Sequence, residues 1–143
     1  DHCPFNAEEK AGHADFTQIP GGLPSIEARI ALTHDALGDH GMDMQDLARV
    51  CSTRPAELFG LSSKGRVAVG RDADLVVFDP GREVIIEPGE TLHERVDWSP
   101  YAGMQVRGWP RDVIARGEIV VRDGQFVGQE GRGKFVHRDD PPL

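Results

Sequence analysis

The residues best suited to chemistry stand at the front of the chain, in Asp1-His2-Cys3-Pro4-Phe5. Carboxylate, imidazole and thiolate all bind divalent metal ions. Neighbours on an extended segment point to opposite faces, so these three cannot converge on one ion, and one ligand from the segment is the limit. On residue types alone Asp1 is an ordinary acid and His2 packs or bonds locally. Cys3 and Cys51 have no paired base, which marks them as packed, reduced thiols and not nucleophiles. His13, His34, His40 and His137 lack metal-ligand spacing and read as solvated or capping groups. Gly21-Gly22, taken alone, is a turn. Trp98, Tyr101 and Trp109, spaced among prolines, are expected to pin a long loop to a β-module. Gly131-Arg132-Gly133-Lys134 is too short for a phosphate loop, and no helix follows it.

The elements that must position these groups change character along the chain. Residues 1–24 are broken by Pro4, Gly12, Pro20, Gly21, Gly22 and Pro24 and read as loop. A helix is expected over 25–37, with Ser25 as N-cap, Ile26, Ile30, Thr33 and Leu37 on one face, and Gly38 as the stop. A second is expected over 44–52, capped by Asp43. A third, short one follows Thr53-Arg54-Pro55 and ends at Gly60. Beyond Ser62 the strand formers take over: Val67, Val69, Leu75–Phe78 and Glu83–Glu87, with Gly65, Gly70 and Asp79-Pro80-Gly81 as turns. Residues 88–111 read as a long ordered loop. Strands are expected over 112–116 and 118–122 around Gly117, and Asp123-Gly124 as a tight turn into 125–127. The tail, 129–143, reads as a surface wrap. So few short strands rarely close a sheet edge unaided, and strands from elsewhere in a longer chain are expected.

Bulk properties narrow the function classes. The 143 residues carry 24 acidic against 16 basic side chains, a formal charge of -8, with no basic stripe. Nucleic acid and anionic membrane are therefore not expected as partners. No apolar run approaches a membrane span and no signal peptide is visible, so a cytoplasmic setting is expected. The opening without Met reads as the interior of a longer protein.

Three stretches together, Asp1–Phe5, Phe16–Gly22 and Pro24–Arg29, resemble the end of the catalytic barrel in the dihydropyrimidinase/hydantoinase family of cyclic amidohydrolases. A looser likeness to dihydroorotases covers Asp1–Lys10 and Gly22–Glu27. Pro55–Leu61, Lys64–Gly70 and Asp72–Val76 resemble stretches found across the wider amidohydrolase superfamily. Leu92–Met104, Gly124–Gly128 and Gly131–Phe135 are similar to the hydantoinase/dihydropyrimidinase tail, part of which allantoinases share.

The resemblance implies an α/β plus β architecture: the last strand and helices of a (β/α)8 TIM barrel over 1–61, then the carboxy-terminal part of a β-sandwich accessory domain over 62–143. It implies a zinc-dependent hydrolase opening dihydropyrimidines or hydantoins by attack of a metal-bridging hydroxide. Asp1 would be at once metal ligand and catalytic proton carrier. The binuclear zinc centre would be bridged by a carbamylated Lys, which together with the family's histidine ligands precedes the position of Asp1, so this chain alone is expected to be inactive. In the family an Asn in the loop matching Phe16–Pro24 binds the substrate imide through its backbone. Gly21 stands there now, so Gly21 and Gly22 are the substrate-binding candidates, with a more mobile backbone. A tetrameric full-length protein is implied as well. The alternatives are a non-catalytic dihydropyrimidinase-like scaffold, which needs no carboxylate at position 1, and an allantoinase or dihydroorotase type of enzyme.

Overall fold

The computed structural model describes residues 2–139. Asp1, and with it the candidate metal ligand and catalytic acid, lies outside the described residues. The loop-like start contains one helical turn, α1 (Ala7–Lys10), and a 3-10 turn over Phe16–Gln18. The first long helix, α2, is Arg29–Asp39 and starts later than expected. Ser25 does not cap it: residues 26–28 form a turn in which Glu27 bonds away from the helix, so the regular ladder begins only at Arg29. Gly38 does not stop it either. The helix runs through Gly38, and the chain leaves it at Gly41, whose φ of 70° closes the end in the left-handed conformation suited to glycine. Asp43 does cap α3 (Met44–Ala48), accepting from the amides of Gln45 and Asp46. A π-turn over Arg49–Thr53 then leads without a break into α4 (Arg54–Leu58), so the second and third expected helices are one interrupted rod.

The β part is a single antiparallel sheet in the order β1 (Leu75–Ile85), β2 (Gln105–Ala115), β3 (Glu118–Arg122), β4 (Gln125–Phe126). Val67 and Val69 belong to no strand and stand exposed. Asp79-Pro80-Gly81 does not reverse the chain. It forms a bulge inside β1, closed by a bond from Gly81 N to the Asp79 carboxylate, and both halves of the strand pair with β2. The expected loop over 88–111 therefore ends at Met104, because the residues after it pair with Glu83–Ile85. The predicted tight turn at Asp123-Gly124 is present, and Arg116-Gly117 forms a second one between the two strands expected around Gly117; all four residues take positive φ, as two-residue hairpins demand.

One buried cluster joins the two parts: Ala28 and Ala31 of the α2 region, Val84, Ile86, Leu92, Val106 and Trp109, with Leu32 and Tyr101 at its edge. Small Ala side chains let the β1–β2 hairpin approach the helix closely, which displaces the bulkier face expected to be buried. Ile30 instead faces an apolar groove shared with Met44, Leu47, Val76 and Phe78, and Ile26 is exposed. Fully burying Ile86 alone contributes about 1.5–3 kcal/mol. His34, expected to be a solvated or capping group, is a joint of this contact: its Nδ1 donates to the carbonyl of Arg107 at 2.7 Å, while Arg107 N donates to Asp35 at 3.2 Å. Gly108 beneath it has φ 98°, and a Cβ there would meet His34 Nδ1 at 2.5 Å and Phe78 at 2.7 Å. Lys64 binds Asp72 at 2.9 Å and also pairs with Asp74, and these bonds hold both carboxyls below the usual range. Asp74 also receives Arg116 N at 2.7 Å, so the superfamily-like stretch 64–76 staples the connection to the β2–β3 turn. The tail crosses the surface: Arg132 donates to Ala115 O, and Asp139 N to Gly60 O.

Candidate functional site

The segments that carry the expected chemistry are brought together. Residue 2, directly after Asp1 in the sequence, forms a parallel bridge with Leu23, and Cys3 N donates to Leu23 O at 3.2 Å. The imidazole Nδ1 of His2 accepts from Ser25 N at 3.2 Å and Ile26 N at 3.4 Å, which places the proton of the neutral ring on Nε2. His2 is thus a local brace, as residue type suggested. The Gly21–Gly22 segment, which has no regular structure, sits between that bridge and the 3-10 turn, which Asp15 starts by accepting from Thr17 N at 2.8 Å; that bond keeps the Asp15 carboxyl below its usual range. Gly22 has φ 87°, a backbone state that glycine tolerates. Gly21 is exposed, and apart from its chain neighbours no atom lies within 4 Å of where a Cβ would stand, so that side of its backbone is open.

A third segment, 92–99, comes from the β part and clamps the other two. Glu27 accepts from His93 N at 2.7 Å, from His93 Nδ1 at 2.5 Å and from Glu94 N at 3.1 Å. The carboxylate bond raises the His93 pKa above the usual imidazole value, against a smaller opposing effect of burial. Glu94 returns a bond from Glu27 N at 3.3 Å, and its other oxygen is buried without a hydrogen-bond partner among the described residues. Further along, Asp97 accepts from Ala7 N at 2.9 Å, and the Trp98 indole donates to Phe5 O at 2.8 Å. Trp98 therefore pins the loop to the segment after Asp1, and not to the sheet as expected. Trp109 and Tyr101 do pack on the sheet's core.

None of Glu27, His93, Glu94 or Asp97 had a role assigned from sequence. The partners lie 66 or more positions apart, so no local spacing announces them. The one available signal is that both stretches belong to the family-like motifs.

A cavity of about 460 Å³ lies beside His2, bounded by Arg29, Thr33 and Tyr101 among others. Its lining holds no carboxylate, and among the described residues no three His, Cys, Asp or Glu side chains come together as a metal site. The described residues by themselves do not fit a zinc centre. No helix among them is long and apolar enough to cross a membrane.

Residues 19–120 match the model of the Amidohydrolase family. The D-hydantoinase of Geobacillus stearothermophilus is 46% identical over 96% of this chain and 30% of its own length. The dihydropyrimidinase of Rattus norvegicus is 39% identical over 96% of this chain and 27% of its own. Among solved structures, the D-hydantoinase (dihydropyrimidinase) from Thermus sp. superposes with a TM-score of 0.89 at 44% identity, covering 99% of this chain and 31% of that one. The chain thus spans about 30% of the length of the proteins it matches.

Proposed function

The chain belongs to the amidohydrolase family, and from that premise we propose that it is the carboxy-terminal part of a hydrolase opening cyclic amides of the dihydropyrimidine or hydantoin class. In that reaction water oxygen bonds to a ring carbonyl carbon, the ring C–N bond breaks, and the released nitrogen takes a proton, leaving an open-chain acid. Asp1 is the residue assigned to carry that proton and to be one zinc ligand. The backbone of Gly21 and Gly22 is assigned to the substrate's amide edge. Residues 1–61 would complete a catalytic barrel, and 62–143 would belong to the accessory β-domain.

The observation carrying this proposal is the junction of the two segments. The residue after Asp1 is bridged to Leu23, directly beyond Gly21–Gly22, and His2 is bonded to the turn that follows. A proton carrier and a backbone substrate clamp belong side by side, since an amide must be held while its nitrogen is protonated. Zinc, as a binuclear centre, is the metal the family implies. Because the described residues do not form such a site, its other ligands would come from outside this sequence, and no step is derived through it. Assembly as a tetramer and a cytoplasmic setting belong to the same proposal.

The test is ring opening by the zinc-supplied full-length protein, with dihydrouracil and hydantoin as substrates and loss of ring absorbance as the signal. Turnover of either supports the proposal. Absence of turnover, with the protein folded, favours the non-catalytic scaffold.

A further inference from the structure

Lys10 ends α1, where a lysine ordinarily trails into water. Here it is half-buried, and its Nζ donates to the carbonyl of Pro20 at 2.5 Å. The same ammonium lies 5.8 Å from the centroid of the Phe5 ring and 5.9 Å from that of Trp98. Both distances are within the range at which an aromatic face attracts a cation. The Trp98 ring is itself held, because its indole donates to the backbone carbonyl of Phe5 at 2.8 Å. A side chain from the start of the chain and one from the β part thus form the seat of a single charge.

The carbonyl it holds is half of a peptide unit whose other half is the Gly21 N–H. A trans peptide is planar, with C=O and N–H pointing in opposite directions. Anchoring the Pro20 oxygen toward Lys10 therefore turns the Gly21 N–H away from it, outward from the seat. Gly21 has no side chain and no atom near its Cβ position, so little else restrains that plane. A charge on the carbonyl also polarises the peptide and strengthens its N–H as a donor. We infer that Lys10 is a positioning residue: it sets the direction and donor strength of the Gly21 N–H toward a ligand carbonyl, with Trp98 and Phe5 seating its charge. That the ligand is a cyclic amide rests on the function proposed above.

The test compares Lys10→Met and Lys10→Arg with the wild-type full-length protein in two measurements. In hydrogen–deuterium exchange, peptides covering 16–24 should exchange roughly tenfold faster in Lys10→Met. Lys10→Arg, which keeps the charge, should stay close to wild type. In steady-state kinetics on dihydrouracil and hydantoin, Lys10→Met should raise KM roughly tenfold with kcat within about threefold, and Lys10→Arg should restore most of the loss. Unchanged exchange in Lys10→Met, or a fall in kcat at constant KM, overturns the inference. Equal damage in Lys10→Arg also overturns it. If the wild type opens neither ring, the cyclic-amide proposal falls and the exchange result alone decides the role of Lys10.

Discussion

Glu27 is the hinge between the helical part and the loop 92–99, and its removal has a calculable consequence. In Glu27→Ala three donors lose their acceptor: His93 N at 2.7 Å, His93 Nδ1 at 2.5 Å and Glu94 N at 3.1 Å. The exposed ring and the exposed His93 amide can turn to water, the His93 side chain being 51% exposed, but the part-buried Glu94 amide is left stranded. A stranded, partly buried donor costs about 1–3 kcal/mol. Hydrogen exchange at the Glu94 amide should accelerate by about 5- to 150-fold. Glu27→Gln keeps an oxygen for both amides but sets an NH2 donor where Oε1 accepted from His93 Nδ1, so it loses the charge and that bond; with the pair so exposed, that loss is under about 1 kcal/mol, an acceleration of at most about fivefold. The charge also fixes the pH dependence. Because the folded-state pKa of His93 is raised, its contribution is complete below the unfolded value near 6.5 and disappears as pH rises through the folded one. The gap between wild type and Glu27→Gln should therefore be widest below about pH 6.5 and close as pH rises through the raised folded-state value. Equal exchange in Glu27→Ala and wild type, or a gap that widens with pH, would refute the clamp.

Other expectations follow from single contacts. Gly108→Ala combines a strained φ of 98° with a Cβ at 2.5 Å from His34 Nδ1. A loss of about 3–5 kcal/mol is expected in denaturant titration; His34→Ala in the same background should restore only part of the steric share of about 1–3 kcal/mol, because the clash with Phe78 at 2.7 Å stays. Trp98→Phe keeps a ring over Lys10 but removes the donor to Phe5 O. It should cost about 1 kcal/mol, read as roughly fivefold faster tryptic cleavage after Lys10, with no change elsewhere.

What was legible in the sequence was local. Asp43 as a cap, Asp123-Gly124 as a primed turn and Gly117 between two strands follow from backbone rules that need no distant partner. Asp79-Pro80-Gly81 has turn chemistry too, yet pairing with β2 on both sides converts it into a bulge. Ser25 looked like a cap, but Glu27 is taken by His93 and Glu94 from far along the chain, and the helix starts later. The α2 face was misjudged because volume, not hydrophobicity alone, decides the contact: Ala28 and Ala31 admit the hairpin where Ile30 would hold it off. The candidate site divides the same way. Gly21 and Gly22 are proposed through motif resemblance, whereas the brace of Lys10, Glu27, Asp97 and Trp98 depends on contacts across the fold.

The central claim concerns the first residue, and it is tested most directly by comparing wild type and Asp1→Ala in the zinc-supplied full-length protein, with ring opening of dihydrouracil and hydantoin followed at saturating substrate. The expected result is turnover by the wild type and a fall of at least about 10²–10⁴-fold in kcat for the variant, as loss of a proton carrier entails. Turnover in Asp1→Ala within a few fold of wild type would contradict it.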